Sequence, residues 1–347
     1  MPPTADLSRF TRQVLVVLAL VALLALLWQL IPVLLLVFGA VVFAALLLSL
    51  THLLQRVAPV GDGVALAIVL VVLAGGLGLM LWMFGAQVSR EMSTLIEALP
   101  PAYEAFQAWV EDTSIGGVLG EQIDTLRNNM GRLASGAGAV AMTFSGGLMN
   151  PLLVLVGGIY MAAQPGMYRA GLLQLVPTSV RDVAADALDT SARALRLWLG
   201  GQLVAMAAVG LLTWLGLWLL GVPAAFALAL IAFLLDFVPI IGPIAAAVPG
   251  ILLGFTVSPR IGLATAGLYL VIQQIEGNLL QPLIQQRAVE LPPALLLFAL
   301  LAFGTLTGFA GLLLAAPLTV VLYVLVKRLY VRELLGTETT IPGESNT

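Results

Sequence analysis

The residues best suited to chemistry lie in the C-terminal third, in two polar breaks between apolar runs. One break is Asp236-Phe-Val-Pro239-Ile-Ile-Gly242-Pro243; the other is Gln273-Gln274-Ile-Glu276-Gly-Asn278-Leu-Leu-Gln281-Pro282. An Asp at the centre of a lipid-embedded helix costs about 2.5–3.5 kcal/mol on insertion scales. A helix break lowers that cost by freeing backbone amides or admitting water. Short segments interrupted by Gly and Pro and carrying ionisable groups are therefore the best sequence pointer to a transport pathway. Asp236 has two readings: a protonatable or cation-coordinating carboxylate at a broken helix, or a cap on a helix end near the interface. Glu276 is either a pathway carboxylate or an interfacial residue, and the nearby Asn278 and Gln281 favour the pathway. The amides of Gln273, Gln274, Asn278 and Gln281 could also bind the hydroxyls of a small polar solute. Glu290 is expected to pair locally with Arg287. Gly304, Gly308 and Gly311 read as positions of close helix packing, with a hinge as the other reading.

Other chemistries lack their residues. The chain has no cysteine, one histidine (His52) and one lysine (Lys327). A Cys or Cys/His zinc site, an iron–sulfur cluster, a Cys nucleophile and an H-E-x-x-H site are thereby excluded. No phosphate-binding G-x-x-x-x-G-K-[ST] loop occurs, so the chain is not expected to hydrolyse ATP by itself, nor to be an enzyme or carry a cofactor. A net charge of −3 is too small and diffuse for nucleic acid.

The elements that must position these residues are helices in lipid. Of 347 residues, 61% are hydrophobic and 10% charged, with a mean hydropathy of +1.07, far from the soluble norm of about 25% charged. Hydrocarbon about 30 Å thick needs roughly 20 apolar residues in a helix. Runs at 13–31, 33–50, 64–86, 141–163 and 198–220 meet that length, or nearly so. The first is too long in its apolar core for a removable signal and lacks a cleavage site. Pro32 is placed in a tight connection between the first two runs. The expected class is all-α and polytopic, with about eight transmembrane helices and broken or re-entrant helices near the C-terminus. Eight crossings follow if 222–257 re-enters from the outer side, ten if it spans.

The organisation read from the chain is three transmembrane helices in 1–86, then an extracytoplasmic amphipathic segment at 87–140. Helices four and five lie in 141–220, joined by a cytoplasmic linker at 164–197. A transport core at 221–332 and a polar cytoplasmic tail at 333–347 follow. Basic residues at Arg9, Arg12, Arg56, Lys327, Arg328 and Arg332 place both termini in the cytoplasm. The outer segment carries an apolar stripe through Met92, Leu95, Ile96, Leu99, Tyr103, Phe106 and Val110, continuing from Ile115 to Leu133. It reads as amphipathic helices on the bilayer or against a neighbouring copy. In the linker, Ser179-x-x-Asp182 is a candidate capping box, and Asp189 and Arg193 stand four apart in the favourable order. Gly304–Gly308 and the outer helices permit a homo-oligomer.

Taken together, the Asp236–Pro243 run, Glu276-Gly-Asn-Leu-Leu-Gln-Pro282, Val289-Glu-Leu-Pro-Pro293 and Gly304-x-x-x-Gly308-x-x-Gly311-x-x-x-Ala-Ala-Pro317-Leu resemble the motifs of the autoinducer-2 exporter family of bacterial permeases. The resemblance covers nearly the whole chain. It implies a multi-pass carrier of the bacterial inner membrane. It further implies export of a small polar quorum-sensing signal or, for some members, sodium(lithium)/proton antiport. On that basis Asp236, Pro239, Gly242, Pro243, Gln273, Gln274, Glu276, Asn278, Gln281 and Pro282 are the expected pathway residues. Gly304, Gly308, Gly311 and Pro317 are the expected hinge or packing residues. The expected partners are the lipid bilayer, and a small polar solute or a monovalent cation or proton.

Overall fold

The computed structural model describes residues 4–112, 149–282 and 291–344. Every regular element among them is helical. In order these are α1 (Thr4–Val57), α2 (Asp62–Asp112), α3 (Met149–Ala163), α4 (Pro165–Gln174), α5 (Arg181–Leu219), α6 (Ala225–Leu235), α7 (Ile241–Val257), α8 (Pro259–Ile275), α9 (Pro293–Thr307) and α10 (Phe309–Leu325). A 3₁₀ turn, Thr178–Val180, precedes α5; π-helical stretches, Glu276–Leu280 and Val326–Leu334, extend α8 and α10. Segments Trp28–Val57, Asp62–Leu79, Thr178–Leu219 and Phe309–Leu334 are each long and apolar enough to cross a membrane. Helices α3, α6, α7 and α9 are apolar but shorter. The expected all-α polytopic class holds.

Three local expectations change. The connection placed at Pro32 is helical, and α1 runs unbroken through it for 54 residues. A proline removes one amide donor, whereas breaking an apolar rod there would free several in a medium without water to satisfy them. The two basic flanks, Arg9/Arg12 and Arg56, therefore lie at opposite ends of one rod, and the crossing count that put both termini on one side loses a step. Likewise α2 continues past its apolar half, through Pro100 and Pro101, to Asp112. Its stripe does not wait for lipid or another copy. Leu95 is buried with Leu217, Val222, Leu228 and Leu253, and Met92 and Leu99 pack beside it, while Ile96 faces outward. The remainder of that stripe, Ile115–Leu133, lies outside the described residues, as do Arg287 and Glu290.

The linker forms neither expected local contact. The 3₁₀ turn displaces the candidate capping box, and α5 starts at Arg181 without a side-chain cap. Asp189 bonds instead to Arg169 of α4 through Nε (2.8 Å) and a terminal nitrogen (2.7 Å). That fork holds the Asp189 carboxyl below its ordinary pKa.

Packing arranges these helices around α5. Helix α1 packs along α3, where Ala44, Leu47, Leu66, Val69 and Ala162 form a buried cluster. On the other side α6 and α7 form a hairpin against α2 and α5, α8 returns along α7, and α9 pairs with α10. Gly308, with φ +67°, makes the α9–α10 turn.

Candidate functional site

The α6–α7 hairpin joins a half-length rod to one of 17 residues. Helix α6 has 11 residues, about 16 Å at 1.5 Å per residue, and cannot span hydrocarbon about 30 Å thick. It begins after Ala224, at φ 55°, which offers no capping side chain. The cap arrives from another helix. Glu91 of α2 accepts the Ala227 N–H at 2.9 Å through one oxygen and the Gln87 amide at 2.8 Å through the other. A carboxylate there satisfies an orphan donor and sits at the positive end of the helix dipole.

The opposite end of α6 is Asp236. Its N–H bonds Ala232 O at 3.0 Å, and the chain then reverses. Val238 N–H donates to Leu235 O (2.9 Å), Ile241 N–H to Pro239 O (2.8 Å) and Gly242 N–H to Val238 O (2.9 Å). Between them Ile240 is held at φ 70°, ψ −55°, a γ-turn of the strained hand for a β-branched residue. Gly242 belongs to this turn for a steric reason: a Cβ there would collide with the Leu235 carbonyl and meet Asp236 N at 3.1 Å.

Asp236 is 1% exposed. Neither carboxylate oxygen has a hydrogen-bond partner among the described residues. Its backbone carbonyl does, accepting from Gln202 Nε2 of α5 at 2.7 Å. Buried polar groups are normally satisfied, yet here the backbone is anchored while both side-chain oxygens lack a partner among the described residues. Asp236 stands at the C-terminal cap position of α6, and its side chain caps no backbone group among them.

Glu276, 6% exposed, opens the π-helical turn after α8. Such turns frequently mark functional sites. The widened i→i+5 spacing brings Gln281 within reach of Glu276. Gln281 Nε2 donates to one carboxylate oxygen at 3.3 Å, and Gln273 Nε2 to the other at 3.2 Å. A cavity of about 300 Å³ lies against this second acid, lined by Val209, Ala232, Pro243, Ala246, Tyr269, Gln273 and Glu276 among others. Glu276 thus lines the same cavity as Ala232 and Pro243, which flank the Asp236 turn. The Tyr269 hydroxyl is buried and has no partner among the described residues. A second groove, about 390 Å³, runs between α2 and α6 past Phe84, Ser89 and Leu230 and carries no charged side chain.

The structure thus gathers Asp236, Pro239 and Gly242 in one turn, and Pro243, Gln273, Glu276 and Gln281 around the cavity and its acid. Gln274 and Asn278 stand apart, bonded to each other at 2.7 Å on an exposed face, and Pro282 is exposed. The glycines also divide. Gly311 lies against the Phe303 carbonyl and Gly304 packs near Leu312, whereas Gly308 is a turn with open space where its side chain would be. Pro317 is buried within α10. Sequence reading passed over Gln202, Tyr269 and Glu91. Gln202 had a signal, as the single amide side chain in the apolar run 198–220. Glu91 had none, because its partner amide is 136 positions away.

Among the described residues, the apolar helices, four of them long enough to cross a membrane, define a polytopic α-helical membrane protein. Residues 17–330 match the model of the AI-2E family transporters. The chain belongs to that family. It is 32% identical over 269 residues to the candidate transport protein MT0215 of Mycobacterium tuberculosis (strain CDC 1551 / Oshkosh), covering 73% of this chain and 72% of the relative. It is 31% identical over 166 residues to the candidate transport protein YrrI of Bacillus subtilis (strain 168), covering 48% and 47%. With the AI-2 transport protein TqsA of Escherichia coli (strain K12) it shares 31% identity over 181 residues, 51% of each chain. The chain therefore spans about half the length of the Bacillus and Escherichia relatives.

Proposed function

We propose that this protein moves a small polar solute, such as the quorum-sensing signal, outward across a bacterial inner membrane, driven by an ion gradient. Coupling would run through Asp236 and Glu276. One observation carries the reading: a fully buried carboxylate with both oxygens unpartnered among the described residues, at a strained break between the short α6 and α7. Charge inside the membrane is costly and marks ion or proton pathways. The amides of Gln273 and Gln281 and the Tyr269 hydroxyl supply solute-binding groups beside it. TqsA, named for transport of AI-2, is consistent with such cargo.

In this proposal the end bearing Arg181, Arg193, Arg196, Arg328 and Arg332 faces the cytoplasm, following the positive-inside rule. The exposed apolar side chains of α1 and α2, including Leu15, Val17, Trp28, Val71 and Trp82, face lipid or a second copy in a homo-oligomer. Two buried acids, Asp236 and Glu276, favour one further reading, sodium(lithium)/proton antiport.

Reconstituted vesicles separate these. Labelled autoinducer-2 efflux and sodium-dependent proton movement are measured on wild type, Asp236→Asn and Glu276→Gln. Loss of one flux in both variants, with normal membrane insertion, identifies the cargo. Unimpaired flux of both kinds in both variants removes these acids from the mechanism.

A further inference from the structure

The stretch after the last helix is not a free polar tail. From Leu335 the chain turns back through Gly336 (φ 64°), and the strap 337–344 lies across α5 at Thr190–Ala194 and the last turns of α10. Ile341 is 5% exposed, buried with Ala194 of α5 and Val320 and Val324 of α10, and Leu291 at the entrance to α9 packs beside it. Polar groups tie the strap on both sides. Arg193 Nε donates to Gly343 O at 3.0 Å, Lys327 Nζ to Thr340 O at 3.0 Å and an Arg332 terminal nitrogen to Thr339 O at 2.6 Å. Arg332 also forks onto the Glu344 carboxylate. Gly343, at φ 86°, lies so close to α5 that a Cβ would meet Thr190 O and Ala194 N, each at 2.9 Å.

What the strap rests on leads to Asp236. Ala194, Trp198 and Gln202 are spaced four apart on one face of α5. Ala194 touches the strap. Trp198 packs both on the Ile341 cluster and on Phe237, whose ring centroid is 6.0 Å away. Gln202 holds the Asp236 carbonyl. The next turn residue, Val238, is buried against Leu300 of α9 and Ala315 of α10. The strap therefore touches α5, α10 and the entrance to α9, the same three helices that grip the Asp236 turn, with the Trp198 ring as the intervening layer.

We propose that residues 335–344 form a gate at the cytoplasmic mouth, which closes the route to the Asp236 turn by seating Ile341 beneath Trp198. The strap is held by one apolar side chain and a few polar bonds, so it can leave and return without unfolding a helix. When it leaves, α5, α9 and α10 lose their common tie and Trp198 is free to turn aside. This inference rests on the pathway reading of the Asp236 turn.

The absence of native cysteine makes the test clean. Val238→Cys is placed in the turn and probed in inverted vesicles with a membrane-impermeant maleimide. Two release variants act by different physics: Ile341→Asp buries a charge in the apolar seat, and Gly343→Val drives a branched side chain into α5. Labelling is expected to be slow with the strap intact and several-fold faster in both release variants. Equal labelling in all three proteins, whether fast or absent, overturns the gate. A second protein, Ala194→Cys with Ile341→Cys, replaces the apolar seat by a covalent tie that can be made and broken. Oxidation is expected to slow both labelled autoinducer-2 efflux and sodium-dependent proton movement, and reduction to restore them. Failure of the pair to bridge, or equal flux before and after reduction, also overturns it. Failure of the pathway reading is seen separately, as flux insensitive to Asp236→Asn.

Discussion

Substituting Gly242 by Ala tests the geometry on which the site depends. The added methyl has no pliable neighbour, because it collides with the Leu235 backbone carbonyl and not with a side chain. Overpacking of this kind costs about 1–3 kcal/mol. To make room the carbonyl must swing away, which strains the Val238–Leu235 and Gly242–Val238 hydrogen bonds, both 2.9 Å. Each is worth roughly 0.5–1.5 kcal/mol net, so the total loss is about 2–6 kcal/mol. The control is Gly267→Ala, in the interior of α8 with nothing within 4 Å of the new methyl. There the gain in helix propensity is up to about 1 kcal/mol. Thermal unfolding of the detergent-solubilised proteins, followed by circular dichroism, is expected to place the two variants on opposite sides of wild type. If Gly242→Ala melts with Gly267→Ala, the contact at the Asp236 turn is wrong and the site built on it fails.

Three further outcomes follow from particular residues. Ile240→Gly should raise the melting temperature, because relief of roughly 1–3 kcal/mol of backbone strain exceeds the entropy cost of about 0.5–1 kcal/mol for a new glycine; a lower melting temperature would show the γ-turn to be unstrained. Glu91→Ala should destabilise by about 0.5–2 kcal/mol, the worth of a helix N-cap, whereas Glu91→Gln should recover most of that loss because its amide oxygen still accepts; equal melting of the two variants would remove the cross-helix cap. The Arg169 fork lowers the pKa of Asp189, so its stabilisation is complete above the ordinary carboxylate pKa and is lost as pH falls through the lowered one. Both side chains are more than two-fifths exposed, which limits the effect to about 0–1 kcal/mol; Asp189→Asn should melt below wild type near neutrality and converge with it in strong acid, and a gap that persists there would refute the assignment.

Much of the site was legible because membrane helices leave few alternatives. Apolar runs too short to span, separated by Asp236, Pro239, Gly242 and Pro243, specify a broken pair whatever their neighbours. The connection at Pro32 was misread for a related reason. Proline weakens a helix by a local amount, and whether the helix ends there depends on what its freed carbonyl meets. Apolar flanks keep α1 continuous, and packing against the α6–α7 hairpin accompanies the continuation of α2.

Composition and hydropathy alone determined the medium, the all-α class and the exclusion of cysteine, zinc and nucleotide chemistry, because each rests on residue types and the thickness of hydrocarbon. Motif order pointed to the family. Tertiary structure decided which polar groups meet: Gln202 with the Asp236 carbonyl, Glu91 with the Ala227 amide, Gln281 with Glu276, and Ile341 with Ala194. Three of these four contacts join residues 34 to 147 positions apart in the sequence, and the fourth needs a π-helical turn. Helical periodicity places side chains only within about one turn of each other, so contacts of these kinds are set by packing.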